Sequence, residues 1–477
     1  MQSMLRAGVV GSILALLACA PSTGTGGVRI DAAAGPASAA TQQPASPTVR
    51  VSTAPVAASD APAVIPTPSA MPPSPTSPEE AVTLEPASPA PSAPTVTVTF
   101  VDERAWLERL RADFTAEVVA GPGAVALNRE ATGPVTKAIG FNVPTSHDPV
   151  GFLWNEGDRG VDEWYPQGIG GFERDGRRWL IVSWYAKDLK EGTTDPKEAV
   201  SYRGSRLSLV DITDPARITY RHLLLVQDAA NLTAKGLFRM GAPAKAGYRQ
   251  GERFAPVPVH AGGLEVYKNW VYVVDTQLGV RVFDLDRMLK AEADEAKSTC
   301  GVVGGKLVAF DYRYVLPQVA HYRIQGAAPY SCLSLDRASM TLWLGQYLAP
   351  TDATRSAITG IPLGLDGKLG DRATSVVFPK DKGGAYAHRI QGAYRQGNKT
   401  WLSITGQSRY EGSTARLALY EDGAESGYRW RWPHGAEDLY YDETQDRLWC
   451  LTEFPDSLIT RRDRSVFGVK LGSYRTP

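Results

Sequence analysis

The chain has 477 residues and carries 51 basic and 51 acidic side chains, so it has no formal net charge. Every Phe, Trp and Tyr lies from Phe100 onward, while residues 20–98 hold 16 of the 34 prolines and only seven charged residues. A segment of that composition cannot bury enough apolar surface to offset the entropy of ordering. This excludes a three-domain reading from length alone and leaves about 380 residues to form one core. Beyond residue 98 there are 48 basic and 46 acidic side chains, and no run of Lys or Arg stands out. Binding to nucleic acid draws on a basic surface, so it is not expected.

The N-terminus reads as an address. Arg6 precedes an apolar stretch from Val9 to Leu17, which is short of the ~20 apolar residues a membrane span requires. It suits the central region of a secretory signal peptide. The stretch ends Leu16-Leu17-Ala18-Cys19 and resembles the lipobox of bacterial lipoproteins. The resemblance implies that residues 1–18 are removed and that Cys19 is lipidated, with diacylglycerol on its sulfur and a fatty acyl group such as palmitate on its new amino group. Several acyl chains anchor stably where one is marginal. The membrane is then a partner through Cys19, and the domain faces the periplasm or the exterior of a bacterial cell envelope. Ala20 in place of Asp favours the outer membrane where the host has one. Residues 19–98 read as a disordered tether. At up to ~3.1 Å per residue it would reach on the order of 100–200 Å.

Residues 99–165 are expected to hold a short helix and a closing strand. Asp102 is the expected cap, and Trp106, Leu107, Leu110, Phe114 and Val118 recur at helical spacing. From residue 166 the chain shows five segments of one design: a strand opening on small or polar residues, a tight turn, then an apolar strand carrying Trp. The first is Pro166–Phe172, turn Arg174-Asp175-Gly176, then Trp179–Trp184. The others pair His260–Val266 with Trp270–Asp275, Tyr330–Leu335 with Thr341–Leu344, Ile390–Tyr394 with Trp401–Ile404, and Ala436–Tyr441 with Leu448–Leu451. Third strands follow at Arg206–Ile212, Val280–Leu285, Ala415–Tyr420 and Val466–Leu471, and a fourth at Tyr220–Leu225. Repeats of four short strands, each needing a neighbour to cover its faces, specify an all-β β-propeller over residues 166–477. The count is five blades of four antiparallel strands, with six as the alternative. The last repeat stops after its third strand, and an open edge invites association. A strand within Gly123–Phe152 is therefore expected to complete it. Asp284 to Thr299 reads as an inserted surface helix.

Val271-Tyr272-Val273-Val274-Asp275 followed by Gly279-Val280-Arg281-Val282-Phe283-Asp284 resembles the LVIVD type of blade repeat found in bacterial secreted propellers. The resemblance implies architecture. Propellers host many functions, so it does not imply a chemistry.

The first residues of innermost strands converge on a propeller's axis at one mouth. Here those positions offer Gln167, His260, Tyr330, Ser331, Gln391, Glu437 and Asp438, with His388 on the loop before Gln391. Converging polar groups suit a polar ligand such as a glycan or an envelope protein. They also suit hydrogen bonding to one another and to trapped water. Glu437, Asp438 and His260 are the candidate acid–base groups if a polysaccharide is cleaved here by hydrolysis or elimination, since glycan-cleaving propellers use inward carboxylates. A structural scaffold is the third reading. A Ca²⁺ in the central channel is an option through these carboxylates. His321, on what reads as the loop before the third repeat, could join His260, His388 and Glu437 around a transition metal, but no metal-ligand spacing supports it. His147-Asp148 reads as a turn near the mouth, and Asp275 as a turn cap. With Cys19 assigned to lipid, a disulfide between Cys300 and Cys332 is expected, leaving Cys450 as a buried thiol.

Overall fold

The computed structural model describes residues 96–474 apart from 115, 133–142, 144, 188–199, 233–248, 295–296, 327–328, 350–354, 379–386, 406–414 and 456–463. The signal segment, Cys19 and the Pro-rich tether lie outside the described residues. No helix among the described residues is long and apolar enough to cross a membrane.

The chain is all-β and propeller-like, built from antiparallel meanders. The first runs through Trp164–Arg174, Arg177–Lys187, Val200–Asp211 and Thr219–Asp228. The second runs through Leu264–Tyr267, Trp270–Asp275, Gly279–Asp284 and then, after a long insertion, Tyr314–Gln325. The outer strands of these two join in parallel, with Val315 opposite Leu224, so both belong to one sheet. Three separate four-stranded sheets follow. One is Tyr330–Asp336, Thr341–Gln346, Ala357–Pro362 and Thr374–Val377. The next is Ile390–Gln396, Lys399–Ile404, Arg416–Glu421 and Ala424–Arg431. The last is Ala436–Asp442, Arg447–Thr452, Ser465–Lys470 and Val150–Leu153. Local chemistry sets the tight turns. Asp175 and Gly176 both take positive φ, 54° and 69°, which suits a two-residue hairpin whose twist matches its strands.

The innermost strands touch in a closed cycle: Trp164–Arg174 against Leu264–Tyr267, then Tyr330–Asp336, Ile390–Gln396, Ala436–Asp442 and back to the first. The small residues of the repeat exist for this contact. A Cβ on Gly263 would lie 2.3 Å from the Leu333 nitrogen, and one on Gly392 would lie 2.6 Å from the Glu437 carbonyl oxygen. A second recurring position locks neighbours together. Ser183 Oγ donates to the Ala261 carbonyl at 2.7 Å and Ser403 Oγ to that of Ala436 at 3.4 Å. In the third meander Gly345 holds this position. The Cys332 sulfur fills the space, and Ser331 Oγ donates to the Ile390 carbonyl at 2.7 Å instead.

Val150–Leu153 hydrogen-bonds along Ser465–Lys470, with Phe152 opposite Val466 and both fully buried. The first and last parts of the domain thus share one sheet, and the edge left by the final repeat is covered. Thr97–Asp102 forms a strand that sequence reading missed, paired with Tyr314–Gln325. The helix spans Arg104–Asp113 and buries Trp106, Leu107 and Leu110. Its N-cap is Glu103 and not Asp102, which accepts the Arg104 N–H at 3.0 Å and ion-pairs with the Arg104 guanidinium. Phe114 and Val118 fall beyond the helix end.

Three expectations are corrected. Asp284–Thr299 is not a surface helix. A short 3₁₀ turn at Leu285–Arg287 leads to a two-residue strand, Leu289–Lys290, on Tyr314–Gln325. Leu285, Met288, Leu289 and Ala291 are all buried, which a charged outer helix would not allow. Cys300 and Cys332 form no disulfide. Cys300 lies in the small sheet of Thr299–Val303 with Lys306–Ala309, whereas Cys332 sits on an innermost strand filling the Gly345 position. His321 is not on a loop at a blade entrance. It lies within Tyr314–Gln325, buried, with Nδ1 3.1 Å from the Glu103 carboxylate.

Candidate functional site

Antiparallel pairing places the start of each innermost strand beside the end of the second strand. Ala436 lies opposite Thr452, Tyr330 opposite Gln346 and Trp164 opposite Ala186. One mouth is therefore lined by two sets of residues. The first set contains Gln167, Gln391 and Glu437, from strand starts. The second set contains Tyr185, Lys187, Tyr347 and Glu453, from second-strand ends.

Four of these side chains form a hydrogen-bonded line. Gln167 Nε2 donates to Glu453 Oε2 at 3.0 Å, and Gln391 Nε2 donates to Glu437 Oε1 at 3.0 Å. The Glu437 and Glu453 carboxyls hydrogen-bond to each other in the middle. Burial, and then the neighbouring Glu453 charge, push the Glu437 carboxyl well above the usual range. Burial raises Glu453 too, but the Gln167 amide and the Arg464 and Lys187 charges oppose the rise. Two like charges at contact in a low dielectric resist ionising together, so the pair titrates as a unit with the stronger rise on Glu437.

Aromatic and cationic groups frame this line. His260 stacks on Tyr185 with ring centroids 4.1 Å apart, and the Tyr165 ring centre lies 5.6 Å from that of Tyr185. Lys187 Nζ sits 5.4 Å from the Tyr165 ring centre. Arg464, fully buried, donates through Nε to the Glu453 carbonyl at 2.9 Å. Burial and the nearby Lys187 charge lower His260 to about 4, so its ring is neutral near pH 7. The site thus offers amides, a carboxylic acid, a carboxylate and aromatic faces, which are the groups that hydrogen-bond and stack on a polyhydroxylated ligand.

The remaining predicted residues have other tasks. Asp438 lies at the axis, fully buried. Its Oδ2 accepts the backbone N–H groups of Leu264 at 3.0 Å and Ile169 at 3.2 Å, and its Oδ1 accepts that of Leu333 at 3.3 Å. Burial pushes this carboxyl up, and the same N–H donors pull it down. With three N–H groups on its two oxygens, Asp438 holds the innermost strands together at the axis. Tyr330 donates through its hydroxyl to the Ile324 carbonyl at 3.0 Å, and Ser331 bonds to the neighbouring strand. His388 is buried just ahead of Ile390–Gln396. Asp275 caps the following turn through Gln277 and Leu278 and ion-pairs with Arg281 at 2.7 Å. His147 stacks on Tyr474 of the C-terminal turn, and Asp148 ion-pairs at 2.8 Å with Arg447 at the start of the strand Arg447–Thr452. No group of three or more His, Cys, Asp or Glu side chains suited to a metal ion occurs among the described residues. Glu453 and Tyr185 escaped the sequence reading, although both follow the Trp-bearing second strands at equivalent places in the repeat.

No known family pattern matches the chain, and no curated protein matches it. Among solved structures it is similar to a GH43_1 enzyme from Xanthomonas citri, at 9% identity and a TM-score of 0.36, over 64% of this chain and 88% of that one. It is also similar to XC5397 from Xanthomonas campestris, described as a gluconolactonase, at 11% identity and a TM-score of 0.30, over 74% of this chain and 97% of that one. A third is an exo-1,5-alpha-L-arabinanase from a bovine ruminal metagenomic library, at 10% identity and a TM-score of 0.26, over 66% of this chain and 94% of that one. Likenesses of this extent leave the chemistry to this chain's own residues.

Proposed function

We propose that the protein is a lipid-anchored bacterial envelope protein whose five-bladed propeller binds a polar, glycan-like ligand at the channel mouth. The observation that carries this reading is the line Gln167–Glu453–Glu437–Gln391 beside the stacked Tyr185 and His260. The anchor rests on Leu16-Leu17-Ala18-Cys19, and the Pro-rich tether gives the domain reach from the membrane.

The raised Glu437 carboxyl favours a second reading, hydrolysis or lyase cleavage of a polysaccharide with Glu437 as general acid. Against it, paired glycosidase carboxyls stand ~5–9.5 Å apart to admit sugar or water, whereas these two are bonded to each other. Full-length protein in detergent, titrated against an oligosaccharide panel by calorimetry with product analysis on the same samples, separates the two. Binding without product, weakened about tenfold or more by Glu453→Gln or Gln391→Ala, supports a receptor, since a hydrogen bond to a charged group is worth ~1.5–3 kcal/mol. Product that disappears in Glu437→Gln supports the enzyme. Neither binding nor product overturns both and leaves a scaffold.

A further inference from the structure

A polar cavity lies at the third and fourth strands of the first meander, lined there by Arg206, Arg221 and His222. It is about 60 Å³ in volume, several times the ~10–15 Å³ that one water needs. Its lining includes four arginines, Arg129, Arg206, Arg221 and Arg313, against one acid, Asp311. His222 also lines it, but burial lowers that ring to about 4 and leaves it neutral. Asp311 faces the Lys297 ammonium at 3.2 Å, so it offsets little of the arginine charge.

The guanidinium groups are held in place. Arg206 is sandwiched between Trp164 and Trp184, 4.4 and 4.7 Å from the ring centres, and is buried. Its Nη2 reaches Asp158 at 3.3 Å, while its Nε has no hydrogen-bond partner among the described residues. Arg221 is braced by the Ala126 carbonyl at 2.6 Å and lies 4.9 Å from the Tyr314 ring centre. Arg129 Nη1 reaches Asp158 at 3.4 Å. Asp158 is already shared with His222 and Tyr220, at 3.0 and 2.6 Å. Even counting Asp158, the cluster keeps an excess of positive charge with forked donors fixed by stacking. Fixed guanidinium forks match planar or tetrahedral oxyanions, which accept several N–H bonds at once.

We propose that this cavity binds a phosphoryl oxyanion, either inorganic phosphate or the exposed phosphate group of a monoester. The pocket is too small for a nucleotide or a sugar ring, so a monoester would place only its phosphate inside.

Full-length protein is titrated with sodium phosphate and, in a second arm, with glycerol 3-phosphate, each against sodium chloride at matched ionic strength. Thermal stability and calorimetry are read, because a ligand that binds only the folded state raises the transition with the logarithm of its concentration over Kd. Phosphate is expected to raise the transition where chloride does not. Arg129→Gln with Arg313→Gln, both outside the buried tryptophan sandwich, should weaken binding about tenfold or more, and because Arg129 also partners Asp158 the phosphate-dependent shift is read against the variant's own ligand-free transition. Lys306→Gln, on the exposed Lys306–Ala309 strand, should leave binding unchanged. Equal binding of glycerol 3-phosphate assigns the site to esters, and weaker binding assigns it to the free ion. A response to phosphate no greater than to chloride, or one unchanged in the double variant, overturns the proposal.

Discussion

Asp438 Oδ2 accepts the backbone N–H of Leu264 at 3.0 Å, across 174 residues of sequence. The same carboxylate accepts N–H groups from Ile169 and Leu333, so one side chain of the last repeat ties down the innermost strands of the first three. Those amides face the axis, where no neighbouring strand can supply a carbonyl. A buried N–H without a partner costs ~1–3 kcal/mol. Asp438→Ala should therefore lower the unfolding free energy by about 3–5 kcal/mol. Asp438→Asn, which keeps one acceptor oxygen, should cost clearly less. Urea denaturation of the three proteins checks this, and equal stabilities would show that the axis tolerates open N–H groups.

The Glu437–Glu453 pair sets a pH dependence with a definite sign. Burial raises the Glu437 carboxyl above its ordinary value of 4.5 in the folded protein. The folded state therefore holds a proton that the unfolded state releases. This contribution is fully present below about pH 4.5 and fades as pH rises through the folded value. Glu437→Gln mimics the protonated acid and should remove the loss. The transition temperature of the variant relative to the parent is expected to be flat at low pH and to climb by several degrees on the alkaline side, at roughly 2–4 °C per kcal/mol. Parallel curves from pH 4 to 9 would mean the pair holds no extra proton.

Closure depends on the fit of Val150–Leu153 against Ser465–Lys470. A Cβ on Gly151 would lie 2.1 Å from the Val466 carbonyl oxygen and 2.8 Å from Phe467 Cα, which are backbone atoms that cannot turn aside. Gly151→Ala should displace the strand and expose Phe152, losing about 2–4 kcal/mol by overpacking and lost burial. Scanning calorimetry reads the stability. Limited proteolysis should cut first between the Arg104–Asp113 helix and Trp164 in the variant. An unchanged transition would show that the strand contributes nothing to holding the ring.

The repeat was legible because its signals are local. Period-two strands, a tight turn and a Trp at a fixed place need no knowledge of distant chain, and Trp179, Trp401 and Trp449 are buried as the alignment implies. The missing fourth strand was also legible as a topological need, and Val150–Leu153 fills that place. What escaped depends on partners far apart in sequence. Tyr314–Gln325 carries a proline and sits a long insertion away from Gly279–Asp284, yet it is that strand's neighbour. Thr97–Asp102 has almost no buried face to mark it, and its pairing comes from an edge offered 220 residues later. The site divided the same way. Glu437, Gln167 and Gln391 were found from the openings of the repeats, whereas Glu453 became visible only once antiparallel pairing brought second-strand ends to the same mouth.

The cysteines carry a prediction of their own. Cys450 lies opposite Leu439, one residue short of the place that Ser183 and Ser403 take in their meanders, and its Sγ donates to the Glu437 carbonyl of its own innermost strand at 3.5 Å. Cys450→Ser should keep that bond and cost less than about 1.5 kcal/mol, the scale of one net hydrogen bond. Cys450→Val removes the donor and adds bulk at a close-packed ring, and should cost ~1–3 kcal/mol. Burial pushes the thiols of Cys300, Cys332 and Cys450 above the usual range, so little reactive thiolate forms. Iodoacetamide should leave all three unmodified in the native protein and label all three in guanidinium without any reductant. Labelling that requires a reductant would reinstate a disulfide, and a Cys450→Ser variant as damaged as Cys450→Val would mean that the bond to the Glu437 carbonyl contributes little.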